Sequence, residues 1–271
     1  MCTPKSDQRV REPQQPAPGT GGQNNVAGAA ENMPPENAGG TVSQCPTCPD
    51  RVVVIDPGHG GTATVGGSSP NNATSSSGIL EKKMTLELAR LVRSSLQSAE
   101  MVAAAKRKGF SLKVLMTRDS DVNVGISTRA NFAKNNRADL FLSIHYNGGG
   151  RATRGTETII GGWDNANMSQ DRMFAQRIQN GVLNAIKKFD SGATSRGVKV
   201  DKDIINAKGK PLSLGILKDA HLGKAVRSCL VEVEFISHPK VDALLNTGGN
   251  AAAVRAEIAK GLAAAMIDDL R

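Results

Sequence analysis

Four histidines are present, His59, His145, His221 and His238, and two of them occupy equivalent places. His59 follows a short apolar run in the Gly-rich segment Asp56-Pro-Gly-His-Gly-Gly61. His145 ends the run Asp139-Leu-Phe-Leu-Ser-Ile-His145 and is followed by Asn147 and three glycines. In open α/β sheets, ligands collect outside the carboxyl ends of strands, so neighbouring strands would bring the two imidazoles together. Converging imidazoles point to a transition metal, with zinc the usual ion. A catalytic zinc takes three protein ligands, His₂Glu among the known sets, and keeps a fourth position for water. Glu81, at the start of a helical stripe, is the carboxylate placed to complete such a set, because a helix N-terminus favours the ionised form. Taken singly, each histidine is equally a structural hydrogen-bonding residue and Glu81 a plain N-terminal helix charge. A general base is also needed. The run Val231-Glu-Val-Glu-Phe235 sets Glu232 and Glu234 in an apolar strand, where unpaired carboxylates are costly unless they face a cation. Period-two alternation places both on one face.

The elements that must position these residues read as alternating strands and helices. Strands are expected at 51–55, 112–116, 139–145, 155–160 and 229–236, with a shorter one at 214–217. Helical stripes cover 80–106 (Met84, Leu88, Leu91, Val92, Leu96), 126–136, the turns around Phe174, Ile178, Val182 and Ile186, and a closing segment through Val254, Ile258, Leu262 and Met266. Residues 62–78 and 190–211 read as polar, irregular loop. This alternation predicts a single three-layer α/β domain around a mixed or parallel sheet.

Composition sets the outer limits. Aromatic residues make up only 3% of the 271, and the dilution is local: residues 1–50 hold 8 of the 12 prolines and no aromatic residue. Such a stretch buries too little apolar surface to offset the entropy of ordering it, so 1–50 is expected to be a disordered tail or linker and 51–271 the folded domain. The tail carries a net −2 and the rest +11, so the basic character belongs to the domain and suits a polyanionic partner. With one Trp, one Tyr and no basic cluster interleaved with aromatics, nucleic acid is not the expected one. No apolar run approaches the ~18 residues of a membrane span, and no secretory leader is visible. Cys45-Pro-Thr-Cys48 lacks the further ligands of a zinc site and the strand–helix context of a redox motif, which leaves a disulfide or two idle thiols. Cys229 reads as core, and Cys2 after Met1 would fit a lipoprotein whose leader was replaced.

Ile55-Asp-Pro-Gly-His-Gly-Gly61, Glu81, Thr117-Arg-Asp-Ser-Asp121, Arg129 with Asn131, Ser143-Ile-His-Tyr-Asn147, Ser195-Arg-Gly-Val198 and Leu230-Val-Glu-Val-Glu-Phe-Ile-Ser237 occur in this order. In that ordered set the chain, over about 51–270, resembles the type-3 family of zinc-dependent N-acetylmuramoyl-L-alanine amidases. The resemblance implies an α/β domain with a central mixed sheet flanked by helices. It implies one zinc ion held by His59, Glu81 and His145, with Glu232 as catalytic glutamate. The implied reaction is hydrolysis of the amide between N-acetylmuramic acid and the L-alanine of the stem peptide in peptidoglycan. A non-catalytic peptidoglycan-binding module of the same fold, or another zinc hydrolase of the stem peptide, are the alternatives. Two positions depart from the family pattern. Glu234 stands where a small residue is usual, so it either repels Glu232 and raises its pKa or points to solvent at the rim. His238 stands where Asn is usual and reads as surface. The expected site of action is the cell envelope, reached by lysis, by an injection machine or through a removed leader. Family members tied to division carry a helical insertion over the zinc, between the strand 155–160 and the next helix. Only about ten residues separate those elements here, too few for several turns and two connections, so an open cleft with no activator is expected.

Overall fold

The computed structural model describes residues 48–206 and 208–270. The expectations on 1–47, Cys2 and Cys45 included, lie outside the described residues; Cys48 is disulfide-bonded. Six strands form one mixed sheet: β1 (Asp50–Pro57), β2 (Ser111–Met116), β3 (Leu140–Asn147), β4 (Thr156–Ile160), β5 (Ser195–Val200) and β6 (Arg227–Phe235). Their order is β2-β1-β3-β6-β4-β5. β1, β2, β3 and β6 run parallel, whereas β4 is antiparallel to β6 and carries β5 parallel to itself. This reversal brings the starts of β4 and β5 to the edge where β1, β3 and β6 end.

The helices are α1 (Glu81–Leu96), α2 (Ala99–Arg107), α3 (Ile126–Asn135), α4 (Met168–Lys187), α5 (Asp219–Leu222), α6 (Pro239–Asp242) and α7 (Ala251–Asp269). The single helix expected over 80–106 is two, because Ser98 accepts a hydrogen bond from Met101 N at 3.4 Å and so caps a new helix. The segment 190–211 is not wholly irregular, since it contains β5. Among the described residues that strand lies at the sheet edge and pairs only with β4, so it lacks the apolar run that marks a central strand. The short strand expected at 214–217 is instead a 3₁₀ turn, Gly215–Leu217, closed by Leu217 N donating to Leu214 O at 3.0 Å.

Alternation along the strands sorts two layers. Val53, Ile55, Leu142, Ile144, Tyr146, Cys229, Val231 and Val233 pack beneath α1, α4 and α7, the larger core. There α4 and α7 cross at Gly181 and Gly261, where a Cβ on either would lie 2.6 or 2.5 Å from the other's carbonyl oxygen. On the opposite face Val54, Phe141, Ile159 and Leu230 meet α3, α5 and the 3₁₀ turn. Continued toward the carboxyl edge, that second face becomes Asp56, then Ser143 and His145, then Glu232. The same pleat that buries Phe141 therefore presents the polar side chains.

One buried carboxyl in this frame stands apart from the site. Asp171 of α4 accepts from Ser228 N at 2.7 Å and from Asn165 Nδ2 at 2.8 Å. Burial lifts its pKa to about 7 against those hydrogen bonds. Its folded-state pKa lies above the unfolded value of about 3.9, so this group's stability is full below pH ~4 and is lost as pH rises through ~7. Asp171→Asn should remove that component. The urea midpoint should fall less between about pH 4.5 and pH 7.5 in the variant than in the parent, and equal slopes would show Asp171 ionised throughout.

Candidate metal centre

His59 lies in the loop after β1 with φ of 61°, a left-handed conformation uncommon outside glycine. Two buried arginines hold it there. Arg129, on α3, donates to the carbonyls of Pro57 and His59, both at 2.7 Å, and to Asp56 Oδ1 at 2.8 Å. Arg118 donates to Pro57 O at 2.9 Å and Gly58 O at 2.8 Å, and reaches Lys82 O in the first turn of α1 at 3.0 Å. Three consecutive carbonyls are thus taken by two guanidiniums. Asp56 balances them: burial opposes its charge, but Arg129, Thr117 Oγ1 at 2.5 Å and Ser143 Oγ at 2.7 Å hold its carboxyl below the usual range. Burial pulls Arg118 down to about 10, which leaves it charged at neutral pH.

The loop delivers His59 to Glu81 and His145, and the candidate donor atoms of the three residues all lie within 4.8 Å of one another. His59 Nδ1 is 3.0 Å from Ser69 O, an acceptor only, so that nitrogen carries the proton and Nε2 is left bare. Nε2 is buried and makes no hydrogen bond to the described residues. Its 3.3 Å approach to Glu81 Oε1 is close enough for an ion pair but does not serve as a hydrogen bond. Glu81 Oε2 accepts from Ala73 N at 2.8 Å, and Oε1 accepts from Tyr146 N at 3.0 Å and lies 3.1 Å from His145 Nδ1. Burial would raise Glu81, yet the two imidazoles hold it well below the carboxylate range; Glu81 in turn raises His59 against its own burial. A buried imidazole nitrogen without a hydrogen bond to the described residues, facing an ionised carboxylate, suits a cation. The donor set is the His₂Glu set of catalytic zinc. The segment 62–78 therefore supports the ligands through Ser69 and Ala73. The His145 ring lies directly over Gly58, where a Cβ would fall 2.3 to 2.7 Å from its atoms.

Glu232 pairs in register with His145 across β3 and β6 and with Glu157 across β6 and β4. Its Oε2 is buried without a partner among the described residues, and burial, then repulsion from Glu81 and Glu157, raises its pKa well above the usual value. Glu234 follows neither sequence expectation. A register shift sets Phe235, not Glu234, opposite Asn147. Glu234 is fully buried and accepts from Gly155 N at 2.6 Å and Arg154 Nη2 at 3.2 Å, and it is not among the groups that perturb Glu232. His238 caps α6, its Nδ1 accepting from Lys240 N at 3.1 Å. Beside the trio a cleft is floored by Ile126, Leu214, Ile216 and Leu230. The connection 161–167 leaves β4 at the other end of the sheet.

A His–Glu–His trio at the carboxyl edge of a mixed α/β sheet, with a further glutamate one strand away, is the layout of a metallohydrolase. Residues 53–264 match the family model of N-acetylmuramoyl-L-alanine amidase, and the chain belongs to that family. AmiC of Escherichia coli O6:H1 is 26% identical over 260 residues, covering 88% of this chain and 58% of that protein. CwlM of Bacillus licheniformis is 39% identical over 98 residues, 36% of this chain and 32% of that protein. The chain thus spans about a third to three fifths of the length of these curated relatives. Among solved structures, the catalytic domain of CwlV, an N-acetylmuramoyl-L-alanine amidase from Bacillus (Paenibacillus) polymyxa var. colistinus, aligns with a TM-score of 0.58 at 25% identity, over 80% of this chain and 97% of that one.

The contact between Gly58 and the His145 ring yields a direct test. Gly58→Ala should displace the imidazole and weaken zinc binding by about 10- to 100-fold, the range for changes beside metal ligands. Chelator competition measures this, and unchanged affinity would mean that His145 is not a ligand.

Proposed function

We propose that residues 51–271 form a zinc-dependent catalytic domain that hydrolyses the amide joining N-acetylmuramic acid to the L-alanine of the stem peptide, with 1–50 as a tail. The observation that carries this reading is the bare, buried Nε2 of His59 facing Glu81 Oε1, one strand from a glutamate whose buried oxygen has no partner. His59, Glu81 and His145 would hold one zinc ion. Zinc in such a site polarises a carbonyl and lowers the pKa of water to about 7. Glu232 takes the proton from the attacking water at its unpartnered carboxylate and returns a proton to the departing alanine nitrogen. Its raised affinity for a proton suits the second half of that cycle. The net +11 of the domain favours association with an acidic wall polymer, so the enzyme would act in the cell envelope. No activator is invoked, because the connection 161–167 is short and leaves the sheet away from the trio.

Purified protein with zinc and sacculi, and no other component, should release peptides whose new amino group belongs to alanine. An internal peptide break would identify a stem peptidase instead, and release only after addition of a second protein would overturn the activator-free reading. His59→Ala and His145→Ala should each lose bound zinc by elemental analysis together with activity. Glu232→Gln should keep zinc and fold but lose about 100-fold or more in turnover. Full turnover in that variant would remove Glu232 from the chemistry.

A further inference from the structure

Next to the trio, on β4 and β5, lies a charged cluster that the reaction above does not use. Glu157 Oε1 accepts from Asn147 Nδ2 at 2.8 Å, while Oε2 accepts from both Arg196 Nε at 2.7 Å and Lys199 Nζ at 2.5 Å. One carboxylate between two cations leaves a net positive charge. The Arg196 guanidinium is fixed on three sides. Its Nε is tied to Glu157, its planar face covers the Phe235 ring with Cζ 5.1 Å from the centroid, and its stem crosses Gly155, where a Cβ would come within 2.8 Å of Cγ. The two terminal nitrogens make no hydrogen bond to any described residue, and 39% of the side chain is exposed. A free arginine loses side-chain entropy on gripping an anion, and this one is already ordered with its fork open. A planar fork of N–H donors matches a carboxylate bidentately.

Its position selects which anion. Glu232, Glu157 and Gly197 form one row across β6, β4 and β5, so Arg196 emerges about 10 Å, two strand spacings, from the glutamate beside the trio. Its stacking on Phe235 of β6 turns the guanidinium back toward the trio. An extended peptide advances ~3.3–3.6 Å per residue, so the Arg196 backbone lies about three residues from a bond cleaved beside Glu232, and its fork, carried back over Phe235 by the length of the side chain, about two. Of the two parts of the substrate, the muramoyl side is uncharged at the cleaved bond, because its lactyl carboxyl is consumed in the amide. The peptide side carries the free carboxylates.

We propose that Arg196, held by Glu157 and Phe235 and assisted by Lys199, reads a free carboxylate on the second residue of the stem peptide. This rests on the amidase reading above. The domain would then discriminate between walls in which that carboxyl is free and walls in which it is amidated. Discrimination comes from one charged, bidentate contact available to the acid and replaced by a neutral, poorly matched one in the amide.

Two N-acetylmuramoyl tripeptides, identical except that the α-carboxyl of the γ-linked second glutamate is free in one and a carboxamide in the other, test this by kcat/KM. The two corresponding tripeptides without the muramoyl group, which lack the muramoyl–alanine amide, test it by calorimetric binding. The zinc-loaded protein should favour the acid by about tenfold or more, the size of one charged hydrogen-bonded contact. In Arg196→Gln the ratio should fall to near one, and in Lys199→Gln it should fall by a smaller factor. A purely structural role for Arg196 would lower both rates and keep the ratio. Equal handling of acid and amide by the parent protein, or a ratio that survives Arg196→Gln, overturns the proposal. If neither muramoyl tripeptide is cleaved but the free tripeptides are still told apart through Arg196, the amidase reading fails and the carboxylate site stands.

Discussion

Everything at the candidate metal centre depends on how the backbone after β1 is fixed. The carbonyls of Pro57, Gly58 and His59 point in directions that no regular element would satisfy, and buried carbonyls without donors are costly. Arg118 and Arg129 supply the donors, and each also ties the loop to a second element, α1 in one case and α3 in the other. Asp56 keeps the two buried cations from standing unopposed. Buried ion pairs contribute little net stability when compared with apolar replacements, but breaking one is severe because it strands a charge. The arrangement therefore makes the His59 backbone all-or-none: it has the left-handed geometry or the network is lost.

The second constraint is the pleat. Along the middle of β1, β3 and β6 successive residues alternate between an apolar layer and a layer that turns polar toward its carboxyl end. This lets Ser143 brace Asp56 while His145, two residues on, enters the site. It also explains why Gly58 is required there: strands about 4.8 Å apart leave no room for a side chain under an imidazole that crosses from one to the next.

Much of this was legible in the sequence because it rests on side-chain types. His59 and His145 are two of only four histidines, placed at strand ends, Glu81 stands at a helix start, and the structure brings them together. The strands around them carry β-branched and apolar runs with clear breaks. What escaped the sequence has a common cause in backbone geometry. The partners of Arg118 are carbonyl oxygens about 60 residues away, and a carbonyl has no residue identity to read. The position of Glu234 depends on a one-residue register shift, which period-two alternation cannot anticipate. The edge strand β5 lacks an apolar signature because half of it faces water, and its Arg196 gains meaning only from Glu157 and Phe235, 39 residues away on either side. The capping hydroxyl of Ser98 was visible as a residue type, but the continuous apolar stripe concealed it.

The reversal of β4 and β5 has a consequence for how the domain could be joined to other things. Because these strands begin at the carboxyl edge of their neighbours, they finish at the opposite rim, and the connection 161–167 turns there. A strand of ordinary length spans ~17–20 Å, so that turn is separated from the His59–Glu81–His145 trio by roughly the height of the sheet. Trp163, more than half exposed, stands on it. A dye, a surface tether or a fused module grafted at that rim would leave the face that carries the trio unobstructed, and would orient an immobilised domain with its cleft outward.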